Sequence, residues 1–275
     1  MSSKANFFVL ITIILAFKVS SQSYKLSDVD SVIQPRIYAS IGGYFPEVET
    51  SLRIDSENGL GTELSLEDNF RFERQMSVLK LELLYRLKNR SQFSFFYTAL
   101  RRNSTYRLDA DIQFGDTTFN IGAQADIFFN TYYYALTWRY ALFSNPNWNA
   151  GFSVGARYVE FKTGIEAKLN SNQFSRSTSI GAPVLLVGVH GAGYLTDKLL
   201  ARYRMEYFHI MVADINIKVV ETQTSLEYYI FENFGLGVAY STNSYNVSEI
   251  PFTTRFKGKV VFDFGGFNLY ATARF

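Results

Sequence analysis

The sequence predicts an all-β chain closed into a transmembrane antiparallel up-and-down β-barrel of about ten strands, with eight or twelve as the other possible counts. Three observations predict it. The last residues alternate and stop on a bare aromatic: Phe267, Leu269, Ala271, Ala273 and Phe275 share one face, and Asn268, Tyr270, Thr272 and Arg274 the other. A chain ending in mid-strand leaves a row of unpaired backbone groups, and closing the sheet on itself removes that edge. Along the rest of the chain, apolar faces rich in Phe and Tyr are opposed by faces that carry many charges. The N-terminus, finally, has the order of an export signal.

That signal comes first in the chain. Lys4 precedes an apolar run over 7–17, and the small residues Val19, Ser20 and Ser21 follow, which predicts a secretory signal peptide over 1–21 cleaved near Ser21. No Cys occurs anywhere in the 275 residues, so a lipoprotein anchor, disulfides and thiolate metal sites are all excluded. Removing Lys4 and Lys18 takes the formal charge from +2 to zero, and no basic balance points to nucleic acid. No later apolar run approaches the roughly 18 residues a spanning helix needs. Residues 22–34 are polar and aperiodic and read as a periplasmic lead-in. The barrel then occupies 35–275.

The first extended segment covers 36–54, where Pro46, with no N–H to give a ladder, suggests a bulge or a part of the strand above the membrane. Residues 55–73 read as a loop. The clearest alternation lies over 74–87, with Leu79, Leu81, Leu83, Tyr85 and Leu87 against Lys80, Glu82, Leu84 and Arg86. A turn at 88–90 pairs Tyr85 with Phe93 and Leu83 with Phe95. That next strand runs to about Asn103, with a polar loop to 123. Strands follow over 124–142 and 149–168 around the breaker 144–147, and a polar stretch covers 169–179. Strands over 181–195 and 199–214 share the turn 196–198, which sets His190 opposite Arg204 and Gly188 opposite Glu206. Further strands end at 231 and cover 234–247. In 254–275 the apolar parity switches at Gly265 and Gly266, read as a bulge within one strand. The reason is topological: the short turns near Lys88, Asn145, Asp197 and Asn233 must share the periplasmic side, so the last strand must end there.

The ending resembles the closing strand of bacterial outer-membrane β-barrel proteins, which finish in an aromatic residue, often Phe. The resemblance implies that Arg274 and Phe275 form the signal read by the barrel-assembly machinery. It also implies an outer-membrane location, with outer-membrane lipid and lipopolysaccharide as surroundings.

Periodicity alone does not distinguish a soluble barrel from a lipid-embedded one. The charges do: Lys80, Glu82, Arg86, Arg202, Arg204, Glu206, Lys257 and Lys259 could enter a dry core only as pairs, whereas a narrow hydrated lumen can hold them. Tyr and Trp near strand ends then read as interfacial girdles. The candidate lumen-lining residues are Lys80, Glu82, Arg86, Arg157, His190, Arg202, Arg204 and Glu206. His190, Arg202, Arg204 and Glu206 share one side of a hairpin, as an anion site, a proton-transfer group or, more simply, an ion-pair network. His209 has the opposite parity, which argues against a two-His metal site. Arg101, Arg102 and Arg107 read as a basic rim able to meet lipopolysaccharide phosphates. Gly188, Gly191, Gly193, Gly235 and Gly237 lie inside strands with no following helix, and read as small lumen-facing residues. No motif for catalysis, metal or cofactor is present. The expected function is non-enzymatic: a narrow porin-like path for ions or small solutes, or else a structural or surface-binding barrel acting through its outer loops, with an outer-membrane lipid hydrolase using His190 as the least favoured alternative.

Overall fold

The computed structural model describes residues 35–54, 63–88, 90–107, 112–114, 117–119, 124–169, 172–212, 215–248 and 258–275. The signal peptide, its cleavage site, the lead-in over 22–34 and Lys257 lie outside them. In chain order the elements are β1 (Ile37–Ile54), β2 (Glu63–Ser65), a short helix α1 (Leu66–Phe70), β3 (Val78–Lys88), β4 (Ser91–Arg107), β5 (Ile112–Phe114), β6 (Thr117–Phe119), β7 (Gln124–Ser144), β8 (Trp148–Leu169), β9 (Asn172–Tyr194), β10 (Leu199–Val212), β11 (Ile215–Tyr229), β12 (Phe234–Ser248) and β13 (Gly258–Arg274).

Ten of these strands pair antiparallel, each with its neighbour, and β13 returns to β1, so the sheet closes. The seam runs from Tyr38 opposite Arg274 to Ile54 opposite Gly258. Two backbone hydrogen bonds of 2.8 Å between Ile37 and Phe275 finish it. The terminal strand is thus paired on both sides, and closure removes the edge it would otherwise expose. The turns after β3, β7, β9 and β11 lie with Phe275 at one end, here called the inner end. The two turn registers predicted from sequence hold: Tyr85 opposite Phe93 and Leu83 opposite Phe95, and His190 opposite Arg204 and Gly188 opposite Glu206.

The apparent parity switch in the last strand has a different cause from a bulge. Pairing of β13 with both β1 and β12 continues unbroken through Gly265 and Gly266. What inverts is polarity. Toward the inner end Phe267 and Leu269 point outward and are more than half exposed, while Asn268, Tyr270, Thr272 and Arg274 are buried inside. Beyond Gly266 the buried residues are Phe264, Phe262 and Val260, on that same inner face. Several strands invert at the same level. In β1 the outward Ile37, Ile41 and Phe45 give way to exposed Glu47 and Glu49, and the buried Tyr38 and Tyr44 to Val48. In β8 outward Val154 and Tyr158 give way to Glu160 and Lys162, and buried Ser153 and Arg157 to Val159. The inner half is therefore built for lipid, apolar outside and polar inside. The outer half is built like a soluble barrel, with its apolar side chains inside.

Pro46 stands at this level opposite Gly266, buried and within an unbroken register, so it marks the emergence of the strand and not a bulge. Gly266 is required there, since a Cβ would lie 2.0 Å from the Phe45 carbonyl oxygen.

Above the inversion level, alternation of apolar residues no longer marks the outside, and several expected loops contain structure. Residues 63–70 form β2 and α1, with β2 pairing onto β1. Strand β4 continues to Arg107, and β5 and β6 make a hairpin within the expected polar loop. Strand β9 begins at Asn172, within the stretch expected to be irregular. Strands β8 and β9 pair from Trp148 opposite Gly193 up to Leu169 opposite Asn172. By contrast β9 pairs with β10 only between Leu200–Tyr194 and Tyr207–Val187. The β8–β9 hairpin thus rises past its other neighbour and, with β4 and β7, makes a tall wall on one side of the mouth.

Candidate functional site: the filled barrel interior

The inner half of the interior is a charged layer. Arg157, projecting from β8, is fully enclosed; its Nε lies 3.1 Å from Glu221 on β11, its Nη2 bonds Glu206 on β10, and its Nη1 donates to the Thr137 hydroxyl at 2.8 Å. Ser153 donates to Glu206 at 3.1 Å. Tyr133 donates to Glu221 at 2.5 Å, and Tyr245 donates to the same oxygen. A second centre is Glu227 on β11, which accepts from Tyr38 and Tyr229 at 2.8 Å each and from Tyr270 at 3.1 Å, with Arg202 Nε at 3.2 Å. Arg139 reaches Glu82 at 3.4 Å. Lys80 and Arg204 both donate to the Gln223 side-chain oxygen, at 2.9 and 3.0 Å. Such pairs persist in a low-dielectric interior because Glu206, Glu221 and Glu227 each gain several donors together with their countercharge.

Of the residues predicted to line the lumen, Lys80, Glu82, Arg157, Arg202, Arg204 and Glu206 meet in this layer. His190 borders a cavity of about 40 Å³ together with Arg139, Arg202, Arg204, Glu82 and Glu227. Arg86 lies lower, opposite Gln92 next to the turn. These side chains fill much of the described lumen at this level. Sequence reading missed Arg139, Glu221, Gln223 and Glu227 and the tyrosines that serve them. For Arg139 and Glu227 a signal existed, since each opposes an aromatic face. Glu221 and Gln223 precede any clear alternation in β11. Gly188 pairs with Glu206, where a Cβ would meet its side chain, but Gly191 and Gly193 share the outward parity of Val187 and Val189 and do not face the lumen.

The outer half is an apolar plug. Tyr44, Val48, Phe96, Leu100, Phe129, Tyr133, Phe262 and Phe264 are buried together, and Leu66, Phe70 and Phe72 descend onto them from α1 and its exit. Each phenylalanine so buried contributes about 1.5–3 kcal/mol. The helix is held by a buried polar pin: Glu67 accepts from Arg102 Nη1 at 2.5 Å and from the Thr50 amide at 2.8 Å, and Arg102 Nη2 donates to the Thr50 hydroxyl. Arg102 therefore points into the barrel, contrary to the basic rim read from sequence. Arg101 does point outward, over the Tyr132 ring, which Lys162 also approaches at 5.0 Å. The exposed His209 contacts Asn216 at 3.1 Å, and His190 has arginines for neighbours, so neither imidazole is paired with a carboxylate among the described residues.

No protein-family model matches the chain, and no curated protein matches it. Among solved structures it is similar to the outer membrane protease OmpT from Escherichia coli, with a TM-score of 0.58 and 12% identity over 93% of this chain and 99% of that one. Other similar structures are the translocator domain of the autotransporter NalP from Neisseria meningitidis (TM-score 0.43, 9% identity, 99% and 96% covered) and the outer membrane protein OprG from Pseudomonas aeruginosa (0.36, 12%, 89% and 98%). At these identities the likeness concerns the fold. This closed antiparallel barrel of ten strands, apolar on the outside of its inner half, shares the fold of outer-membrane β-barrels.

Proposed function

We propose that this protein is a non-conducting, non-enzymatic outer-membrane barrel that acts through the outer surface carried by its tall wall of β4, β7, β8 and β9. One observation supports this above the others: the interior is filled in two stacked layers, ionic below and apolar above, and α1 closes the upper one. A solute path would have to disrupt both. The barrel-assembly machinery reads the strand ending in Arg274 and Phe275, the outward apolar band contacts lipid, and Arg101 and Lys162 beside Tyr132 stand where lipopolysaccharide phosphates would meet the wall.

The second reading, a narrow porin-like path for ions or small solutes, draws on the polar cavity beside His190. Planar-bilayer recording of the refolded protein separates the two. Conductance at the lipid baseline is expected. Discrete openings that change with Arg204→Ala would overturn the proposal in favour of the channel.

A further inference from the structure

Between the level of Arg274 and the apolar plug, Lys80, Arg139, Arg157, Arg202 and Arg204 stand among the carboxylates Glu82, Glu206, Glu221 and Glu227, and the ion pairs are unevenly shared. Arg157 takes Glu206 and Glu221, Arg139 takes Glu82, and Arg202 takes Glu227. Among the described residues Lys80 and Arg204 have no carboxylate within ion-pair distance: both donate to the Gln223 oxygen, and Lys80 also lies over the Tyr44 and Phe96 rings. Two cations directed at one amide oxygen repel each other, and in a low-dielectric interior that repulsion is not screened as it is in water. Beside them lies the cavity of about 40 Å³, bordered by Arg139, Arg202, Arg204, His190 and the carboxylates Glu82 and Glu227. Two nitrogens of Arg202 are buried there without a hydrogen-bond partner among the described residues. Arg202 Nε, although 3.2 Å from Glu227, is not aligned to donate to it. Buried donors of this kind are costly unless something accepts from them.

We infer that this cavity is a binding site for a small monovalent anion of halide size, held by Arg204 and Arg202, and that the anion supplies the acceptor that Arg202 lacks and the countercharge that Arg204 lacks. The volume has room for about three water-sized bodies, which admits a halide and excludes a large organic anion. Glu82 and Glu227 border the cavity but are already engaged by Arg139, Arg202 and three tyrosines, so the site retains a net positive lining. An anion held in this way is a structural component of the barrel, independent of whether solutes pass through it.

The test is denaturant unfolding of the full refolded chain in a neutral detergent at constant ionic strength, with sodium gluconate replaced stepwise by sodium bromide. The expected result is a saturating stabilisation. At bromide ten times its dissociation constant, the folded-to-unfolded ratio rises about elevenfold. Gln223→Glu places a carboxylate between Lys80 and Arg204, and this variant should be more stable than the parent in gluconate and indifferent to bromide. Arg204→Gln removes one of the two guanidinium groups at the cavity and should also lose the response. Crystals grown in bromide should show anomalous scattering beside Arg204. A midpoint that follows ionic strength alone, or a Gln223→Glu protein that keeps the full bromide response, would overturn the inference.

Discussion

Arg157 on β8 bridges Glu206 on β10 and Glu221 on β11, joining strands that are not neighbours in the sheet across the barrel interior. Its guanidinium is completely enclosed, so its removal would leave two carboxylates buried without their countercharge. Breaking a buried pair from one side typically costs about 3–5 kcal/mol, whereas replacing the whole pair by uncharged groups costs far less. Arg157→Ala should therefore lower the denaturant midpoint sharply. Combining Arg157→Met with Glu206→Gln and Glu221→Gln should recover most of the loss. Unfolding from lipid vesicles, followed by tryptophan fluorescence, measures both.

Glu67 pins α1 into the mouth through Arg102 and the Thr50 amide. Glu67→Gln keeps the shape but removes the charge from a hydrogen bond worth about 1.5–3 kcal/mol. The helix should loosen while the barrel stays closed. Trypsin should then cut faster after Arg71 or Arg74, and the unheated protein should keep its compact mobility in detergent gels. Unchanged cleavage would mean that the contacts of Leu66, Phe70 and Phe72 suffice to hold the segment.

Gly266 permits the closest backbone approach in the seam, since a Cβ there would sit 2.0 Å from the Phe45 carbonyl oxygen. Gly266→Val should force β13 away from β1 at the level where the strand leaves lipid. The expected outcome is a lower yield of the compact, heat-modifiable form on refolding. Gly265→Ala should be milder, because the Cβ contact there is 2.9 Å.

The sequence made the inner half of the barrel legible because lipid enforces a simple rule: alternate residues must be apolar, so parity identifies the outward face. Leu79 to Leu87 and Phe267 to Phe275 obey it, and the tight turns then fixed the registers of Tyr85 with Phe93 and His190 with Arg204. The rule reverses where the strands leave the membrane. Phe262 and Phe264 look like lipid-facing residues and are core residues, which is why a bulge was expected at Gly265 and Gly266. The polar outer stretch of β9 and the continuation of β4 to Arg107 carry no lipid-facing pattern, and they read as loops for the same reason. Within the site, the charged residues were visible individually, but their partners were not. Pairing across the lumen depends on strand tilt and side-chain reach, and local alternation encodes neither.

The inversion itself can be tested on one strand. Leu269 faces outward in the inner half, Val261 lies on the same outward face in the outer half, and Phe262 is its fully buried neighbour. Leu269→Arg places a charge in lipid and should cost about 2–4 kcal/mol near the bilayer centre. Val261→Arg meets water and should cost no more than about 1 kcal/mol. Phe262→Arg puts a charge into the apolar plug, where the buried carboxylate of Glu67 is already engaged by Arg102. It should be at least as damaging as Leu269→Arg, through desolvation and lost packing together. Refolding free energies into vesicles of one thickness give all three values. If the parity of the strand switched at the glycines, Val261→Arg and Phe262→Arg would exchange places: the first would be severe and the second would carry the modest cost of a lipid-edge substitution. The order of those two neighbours therefore decides whether the strand changes its register or only its surroundings.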